Sequence, residues 1–180
     1  MRVIAGQAKG IRLQTPEGLD VRPTTDKVKE AVFSAIQFEI PGATCLDLFA
    51  GSGQIGIELL SRGAASVIFT DKSRKSLQTV QANLEKTKLQ AAAQVFLRDS
   101  LVFLEATDNK FDIIYMDPPF AAGLMEQALT LAQEKLAQNG KIICEYPQEI
   151  KPKTVFEKIL LDREYSYGKI CIGIYKFKLI

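Results

Sequence analysis

Leu46-Asp47-Leu48-Phe49-Ala50-Gly51-Ser52-Gly53-Gln54-Ile55-Gly56 decides the fold. Its first residues close an apolar run of strand length, and its glycines fall in G-x-G-x-x-G spacing ahead of a segment with helical period. A strand, a tight glycine turn and a helix in that order open a βαβ unit, in which backbone N–H groups at the helix start face a ligand. Asp71 stands twenty residues beyond Gly51 at the end of the next apolar run. A carboxylate there accepts hydrogen bonds from ribose hydroxyls. To this point the pattern fits any adenosine-containing cofactor.

Working outward, strand-length runs alternate with helical segments from Ala43 onward, which predicts a largely parallel sheet. Strands are expected at about 44 to 48, 66 to 71, 94 to 98, 111 to 116 and 141 to 146, with helices at about 54 to 62, 74 to 88, 100 to 106 and 124 to 138. Asn139-Gly140 reads as the C-terminal cap of the last helix. Two β-rich runs at about 158 to 166 and 170 to 177, joined by Tyr167-Gly168-Lys169, predict an antiparallel hairpin. Ahead of the sheet, Arg2 to Ile4 and Ile11 to Leu13 suit a small β-ribbon. Arg22-Pro23-Thr24-Thr25 then leads into a helix that keeps Val28, Ala31, Val32, Ala35 and Ile36 on one face. The expected fold is α/β and Rossmann-like: a mostly parallel seven-stranded sheet with an antiparallel C-terminal hairpin, plus an N-terminal ribbon and helix. Residues 1–42 are expected to be an appendage to one domain spanning 43–180.

At 180 residues, 47% hydrophobic and 24% charged, the chain suits a single globular domain and excludes disordered and fibrous classes. The N-terminus lacks the apolar core of a signal peptide and the apolar runs are too short to span a bilayer, so the cytoplasm is expected. The chain has no histidine, which removes the commonest general base and the commonest metal ligand together. No metal is expected. Cys45, Cys144 and Cys171 lie far apart, each within an expected strand, and read as buried small hydrophobes. The net charge is +2, with cations in excess in residues 1–30 and 146–180 and acids in excess between. Basic ends around an acidic centre allow a polyanion to be gripped at the edges of a carboxylate-built site, although many such imbalances are simply solvated surface.

Two details argue against a dinucleotide. Asp47 precedes the first glycine by four residues, and a fixed negative charge there suits an ammonium or sulfonium better than a pyrophosphate. Asp99-Ser100 follows the third strand, a polar step where an adenine amino group would be read. Then comes Asp117-Pro118-Pro119-Phe120, directly behind the apolar run Phe111 to Met116. Consecutive prolines cannot continue a strand or sit in a helix interior, so the chain stops and turns. One reading of that turn is a proline-stiffened surface loop. The other is an elbow presenting a carboxylate, carbonyls and an aromatic face, which suits a planar heterocycle bearing an amino group.

In order, the glycine loop, Asp71, Asp99-Ser100 and Asp-Pro-Pro-Phe resemble the class I methyltransferases that use S-adenosylmethionine, in particular their amino-methylating branch, over about residues 43 to 180. Arg2-Val3-Ile4-Ala5-Gly6, Lys9-Gly10, Arg22-Pro23-Thr24 and Val28-Lys29-Glu30-Ala31-Val32-Phe33 extend the likeness to the bacterial 16S ribosomal RNA guanine-N2 methyltransferase family. The resemblance implies methyl transfer to an exocyclic guanine amine of 16S rRNA, within an assembled or assembling small subunit. It implies cofactor contacts from Asp47, Phe49, Gly51, Ser52, Gly53, Asp71, Lys72, Asp99 and Ser100. It puts catalysis at Asp117, Pro118 and Phe120, with substrate contacts from Arg2, Lys9, Arg12, Arg22, Pro119 and Phe120. Arg22 equally suits the cofactor pocket, a phosphate or the bracing of its own turn. The tetrapeptide itself does not choose the base, since adenine, cytosine and guanine all carry an exocyclic amine. Methylation of adenine N6 or cytosine N4 in RNA or DNA is the near alternative. A nicotinamide oxidoreductase and a non-catalytic RNA-binding module are the remote ones.

Overall fold

The structure, a computed structural model, describes residues 1–16, 25–119, 121 and 123–179. Its strands β1 (Thr44–Asp47), β2 (Ser66–Asp71), β3 (Ala93–Leu97), β4 (Phe111–Met116), β5 (Leu136–Pro147), β6 (Ile159–Tyr167) and β7 (Ile170–Phe177) form one sheet in the order β3-β2-β1-β4-β5-β7-β6. The first five pair in parallel, and β7 lies antiparallel to both β5 and β6. This is the expected seven-stranded sheet with its C-terminal hairpin.

Side chains alternate across a strand, so the parallel strands feed two cores. Cys45, Ile113, Tyr115 and Ile143 face the layer of α1 (Asp26–Ala35), α2 (Gln54–Ser61) and α3 (Arg74–Thr87). Leu46, Ile114, Met116, Ile142 and Cys144 face α4 (Ser100–Ala106) and α5 (Leu124–Ala132). All three cysteines are buried and free, as small hydrophobes should be. No helix among the described residues is long and apolar enough to cross a membrane.

One expectation fails. The helix read over 124 to 138 ends at Ala132, residues Gln133–Lys135 make a single 3-10 turn, and β5 begins at Leu136. Ala, Gln, Glu and Lys all favour a helix locally, but Leu136 buries itself beside Phe111 and pairs with it. The register then jumps to Ile113 opposite Lys141, so the intervening residues bulge out. Gly140 is therefore no helix cap. A Cβ there would stand 2.9 Å from the Phe111 carbonyl oxygen and 2.7 Å from Leu136 Cδ1, so close backbone approach demands glycine.

The N-terminal ribbon forms, with Arg2 opposite Arg12 and bonds from Val3 N–H to the Ile11 carbonyl (3.0 Å) and from Gly10 N–H to the Val3 carbonyl (2.9 Å). It is fastened to α2, whose every residue from Gln54 to Ser61 is buried. Glu58, fully buried, accepts the N–H groups of Ile4 (2.8 Å) and Ala5 (3.0 Å) and the Arg62 Nε–H (2.8 Å). The ammonium of Lys29, also fully buried, lies 4.0 Å from the same carboxylate and donates to the Arg2 carbonyl at 2.5 Å. Burial lowers the Lys29 pKa, with Glu58 opposing.

Removing one partner of a buried ion pair strands the other. Glu58→Ala is expected to cost about 3 to 5 kcal/mol of unfolding free energy, read from urea denaturation. A loss under about 1 kcal/mol would mean that the ribbon and α1 hold to the domain without this carboxylate.

Candidate active site

Chain order reverses between β1 and β4: β2 and β3 are added on one side of β1, β4 and β5 on the other. Open α/β sheets bind ligands outside the carboxyl ends of their strands at such a switch point. A cleft of about 1300 Å³ lies there. Asp47 at the end of β1 and Asp117 just beyond β4 flank it from adjacent strands.

The glycine loop forms its near wall. Gly51 (φ 55°) and Gly53 (φ 77°) take left-handed backbone conformations, and Gly53 opens α2 with no side chain to cap it. Asp47 Oδ2 supplies the cap from the strand below, accepting the Gly56 N–H at 2.9 Å. Asp47 Oδ1 has no hydrogen-bond partner among the described residues. Burial drives the Asp47 carboxyl up from an ordinary 3.8 to about 7, the Gly56 bond opposing and the Asp71 charge adding to the rise.

Two further acids brace the loops they stand on. Asp71 accepts the Gly51 N–H (3.0 Å) and the Ser73 N–H (2.8 Å), tying the glycine loop to the end of β2. Asp99 caps α4 through Leu101 N–H (2.9 Å) and Val102 N–H (3.2 Å), while Ser100 Oγ donates to the Leu48 carbonyl at 2.5 Å. Each carboxylate keeps lone pairs for a ligand beyond these backbone bonds.

On the far wall, Asp117, buried Pro118 and exposed Pro119 form the elbow. Burial, then the charges of Glu145 and Asp47, push the Asp117 carboxyl well above the ordinary carboxylate range. Tyr115 O–H donates to Glu145 Oε2 at 2.7 Å, and both residues are buried and line the cleft.

Of the residues expected from sequence, the cleft gathers Asp47, Phe49, Gly51, Ser52, Asp71, Lys72, Asp99, Ser100, Asp117, Pro118 and Pro119. Gly53 stands behind it as the α2 cap residue. Arg22 and Phe120 lie outside the described residues. Arg2, Lys9 and Arg12 are exposed on the ribbon away from the cleft, and Arg2 is engaged by Asp26 at 3.0 Å. Sequence reading missed Tyr115 and Glu145. The signal for Glu145 was an acid inside the apolar run Ile142-Ile143-Cys144-Glu145-Tyr146, since glutamate is almost never buried unless paired. It also missed Asn83, whose Nδ2 donates to the carbonyls of Ser52 (2.9 Å) and Gln14 (3.0 Å), clamping the glycine loop to the N-terminal segment.

The strand order, the glycine loop and the acids at the strand ends define a class I methyltransferase fold. The solved structure of yhhF from Escherichia coli superposes with a TM-score of 0.90 at 33% identity, covering 99% of this chain and 98% of that one. The chain belongs to the family described as Conserved hypothetical protein 95, which it matches over residues 1–176. It is 41% identical to a Bacillus subtilis protein named "Putative rRNA methyltransferase YlbH", with 98% of each chain covered. It is 35% identical to "Ribosomal RNA small subunit methyltransferase D" of Escherichia coli over 98% of this chain and 89% of that one.

The raised Asp47 pKa gives a signed expectation. An unfolded chain loses this proton near pH 4 and the folded one near pH 7, so its ionisation costs stability progressively across that window and levels off above it. Asp47→Asn keeps an oxygen for Gly56 and removes the charge. Its gain over wild type is expected to be absent near pH 4 and to reach about 2 to 4 kcal/mol at pH 8, by urea unfolding of ligand-free protein. A difference independent of pH would show that Asp47 titrates normally in the folded state.

Proposed function

We propose that this protein transfers a methyl group from S-adenosylmethionine to the exocyclic N2 amine of a guanine in 16S rRNA of the small ribosomal subunit, in the cytoplasm. The observation that carries the reading is the meeting of the Asp117-Pro118 elbow and the glycine loop across one cleft at the switch point. The names of its relatives, ribosomal RNA methyltransferases aligned over nearly the whole chain, support the substrate class.

The chain's residues fit the cofactor. Its sulfonium would supply an electrophilic methyl group. Asp47 offers the negative charge that a cationic amino acid moiety needs, Asp71 suits ribose hydroxyls, and Asp99-Ser100 suits an adenine amine. Phe49 and Lys72 border the same space. An exocyclic amine is a weak nucleophile because its lone pair is delocalised into the ring. Asp117 and the Pro118 carbonyl accept its two hydrogens, which returns electron density to nitrogen and aims the lone pair at the methyl group. With the methyl group leaving sulfur as the C–N bond forms, the electron pair of the broken S–C bond would stay on sulfur as a neutral thioether. The amine would shed a proton toward Asp117, whose raised pKa makes it a better acceptor than an ordinary carboxylate. Phe120 is assigned to stacking on the base. Positioning and charge placement then provide most of the acceleration. A base paired in a helix cannot reach this elbow, so the target is unpaired or flipped out.

Asp117→Ala is expected to lower kcat by at least about 100-fold while S-adenosylmethionine affinity stays near wild type, because the lost acceptor serves the amine and not the donor. Methyl transfer to small subunits from cells lacking the protein reads the rate, and mass spectrometry of the digested RNA identifies the nucleoside. Formation of N6-methyladenosine or N4-methylcytidine in place of N2-methylguanosine would replace the guanine reading. Full turnover by the alanine variant would make the elbow structural.

The ribbon in residues 1–42 is assigned to RNA contact. With Arg2 engaged by Asp26, the exposed cations Lys9 and Arg12 carry the test. Neutralising both should flatten the salt dependence of subunit binding by about 0.7 to 0.9 log units per lost phosphate contact, with cofactor affinity unchanged. An unaltered slope would move RNA recognition elsewhere on the protein.

A further inference from the structure

We propose that the outer part of the cleft, between the first turn of α1 and the β6–β7 turn, holds the single-stranded RNA beside the target base, with Lys27 and Lys169 on its phosphates. This inference rests on the RNA reading above and adds a second grip to the one assigned to the ribbon.

The mechanism uses only part of the cleft. The glycine loop, Asp71 and Asp99 stand at or just beyond the ends of β1, β2 and β3, and the elbow follows β4. The lining runs on past β5, to Pro147, Ile150, Ser166, Tyr167, Gly168 and Lys169. Sheet order brings them there. β7 lies next to β5 and antiparallel to it, so Ile170, its first residue, pairs with Pro147 at the carboxyl end of β5. The turn before Ile170 therefore stands at the same edge of the sheet as the elbow. Two strand spacings, about 10 Å, separate β4 from β7. That distance exceeds the width of one base held at Asp117 and falls within reach of the adjoining nucleotide.

The turn is a fixed lip. Gly168 takes a left-handed φ of 61°, and Gln148 N–H donates to the Lys169 carbonyl at 2.9 Å, tying the turn to the segment after β5. Tyr167, partly buried, packs against the same core as Val28 and Val32 of α1. Ile150, 57% exposed on the cleft wall, offers apolar surface to a base.

Charge decides which part of a nucleotide sits where. Lys27 and Lys169 are exposed, and neither has an ion-pair partner among the described residues. Glu149, the exposed acid on this stretch, pairs with neither. Further in, the cleft is lined by Asp47, Asp99 and Asp117. Phosphates are drawn to the two lysines and repelled from those carboxylates, so a nucleotide enters base first. A cationic groove with aromatic and apolar surface beside it is the chemistry that single strands recognise. Such phosphate contacts fix register without reading sequence, and here the register is that of the target base at the elbow.

The test uses the full-length protein, S-adenosylmethionine and small subunits from cells lacking it, with Lys27→Ala, Lys169→Ala and the double variant. Each single change should weaken subunit binding and flatten its salt dependence by about 0.7 to 0.9 log units, and the two should add. The loss should appear in KM for subunits. Cofactor affinity by calorimetry and the melting temperature should stay at wild-type values, since both side chains are exposed. Lys169→Arg keeps the cation and should restore the slope. If the double variant keeps the wild-type slope and KM, the outer cleft does not hold RNA, while the proposed function stands on its own assay. A fall in cofactor affinity with an unchanged slope would assign these lysines to the methyl donor and overturn the inference as well. If wild type transfers no methyl group to subunits, the proposed function and this inference fall together.

Discussion

The buried carboxylate of Glu58 is the joint on which the arrangement depends. α2 carries the glycine loop, yet it is enclosed on all sides, by the sheet beneath and by the ribbon and α1 above. An acid in such a helix would be prohibitive by itself, because the desolvation of an ion costs several kcal/mol. Here two backbone N–H groups, Arg62 and the buried Lys29 converge on it. The first residues of the chain are thus a lid over the helix that shapes the site. Asn83 makes the same link from α3, holding the glycine loop and the N-terminal segment with one amide.

With α2 held from above, Asp47 holds it from below, and here electrostatics turn from support to function. Asp47, Asp117 and Glu145 stand in one cleft, and the first two have their carboxyl groups raised by burial and by neighbouring acids. Burying the Asp47 and Asp117 carboxylates costs stability, since each charge is drawn partly out of water. A cationic group at Asp47 and a hydrogen-bond donor at Asp117 would offset that cost. Stability given up at these carboxyl groups therefore reappears as selectivity for ligands of a given polarity.

The sheet was legible because its central strands are buried on both faces and read as continuous apolar runs, and the glycine loop and double proline interrupt them at defined points. The carboxyl ends of those runs mark the positions of Asp47, Asp71, Asp99 and Asp117 in the sequence alone. The end of α5 was not legible. Residues 133 to 138 are good helix formers, and only the distant Phe111, which Leu136 joins, makes a strand preferable there. Glu145 was obscured in the same way: its neighbours mark it as core, and its place on the cleft wall emerges only when β5 lies beside β4. The ribbon cations were visible as charges, but not that Asp26 engages one of them. Local pattern gives elements and their ends; pairings across the sheet, which assemble the cleft wall, come only from tertiary contact.

A chain with no histidine must handle protons near neutrality by other means. A carboxyl group at its ordinary value is a poor proton acceptor at pH 7, about three units too acidic to match the operating pH. Burial corrects this, and like charges at the carboxyl ends of adjacent parallel strands correct it further. Asp47 reaches about 7 by the first route chiefly, and Asp117 is driven upward by both. The switch point thus does more than open a crevice. By ending β1 and β4 side by side, with β5 next in line, it buries acids close together, and burial first, then neighbouring negative charge, raises the Asp47 and Asp117 carboxyl groups above their ordinary values.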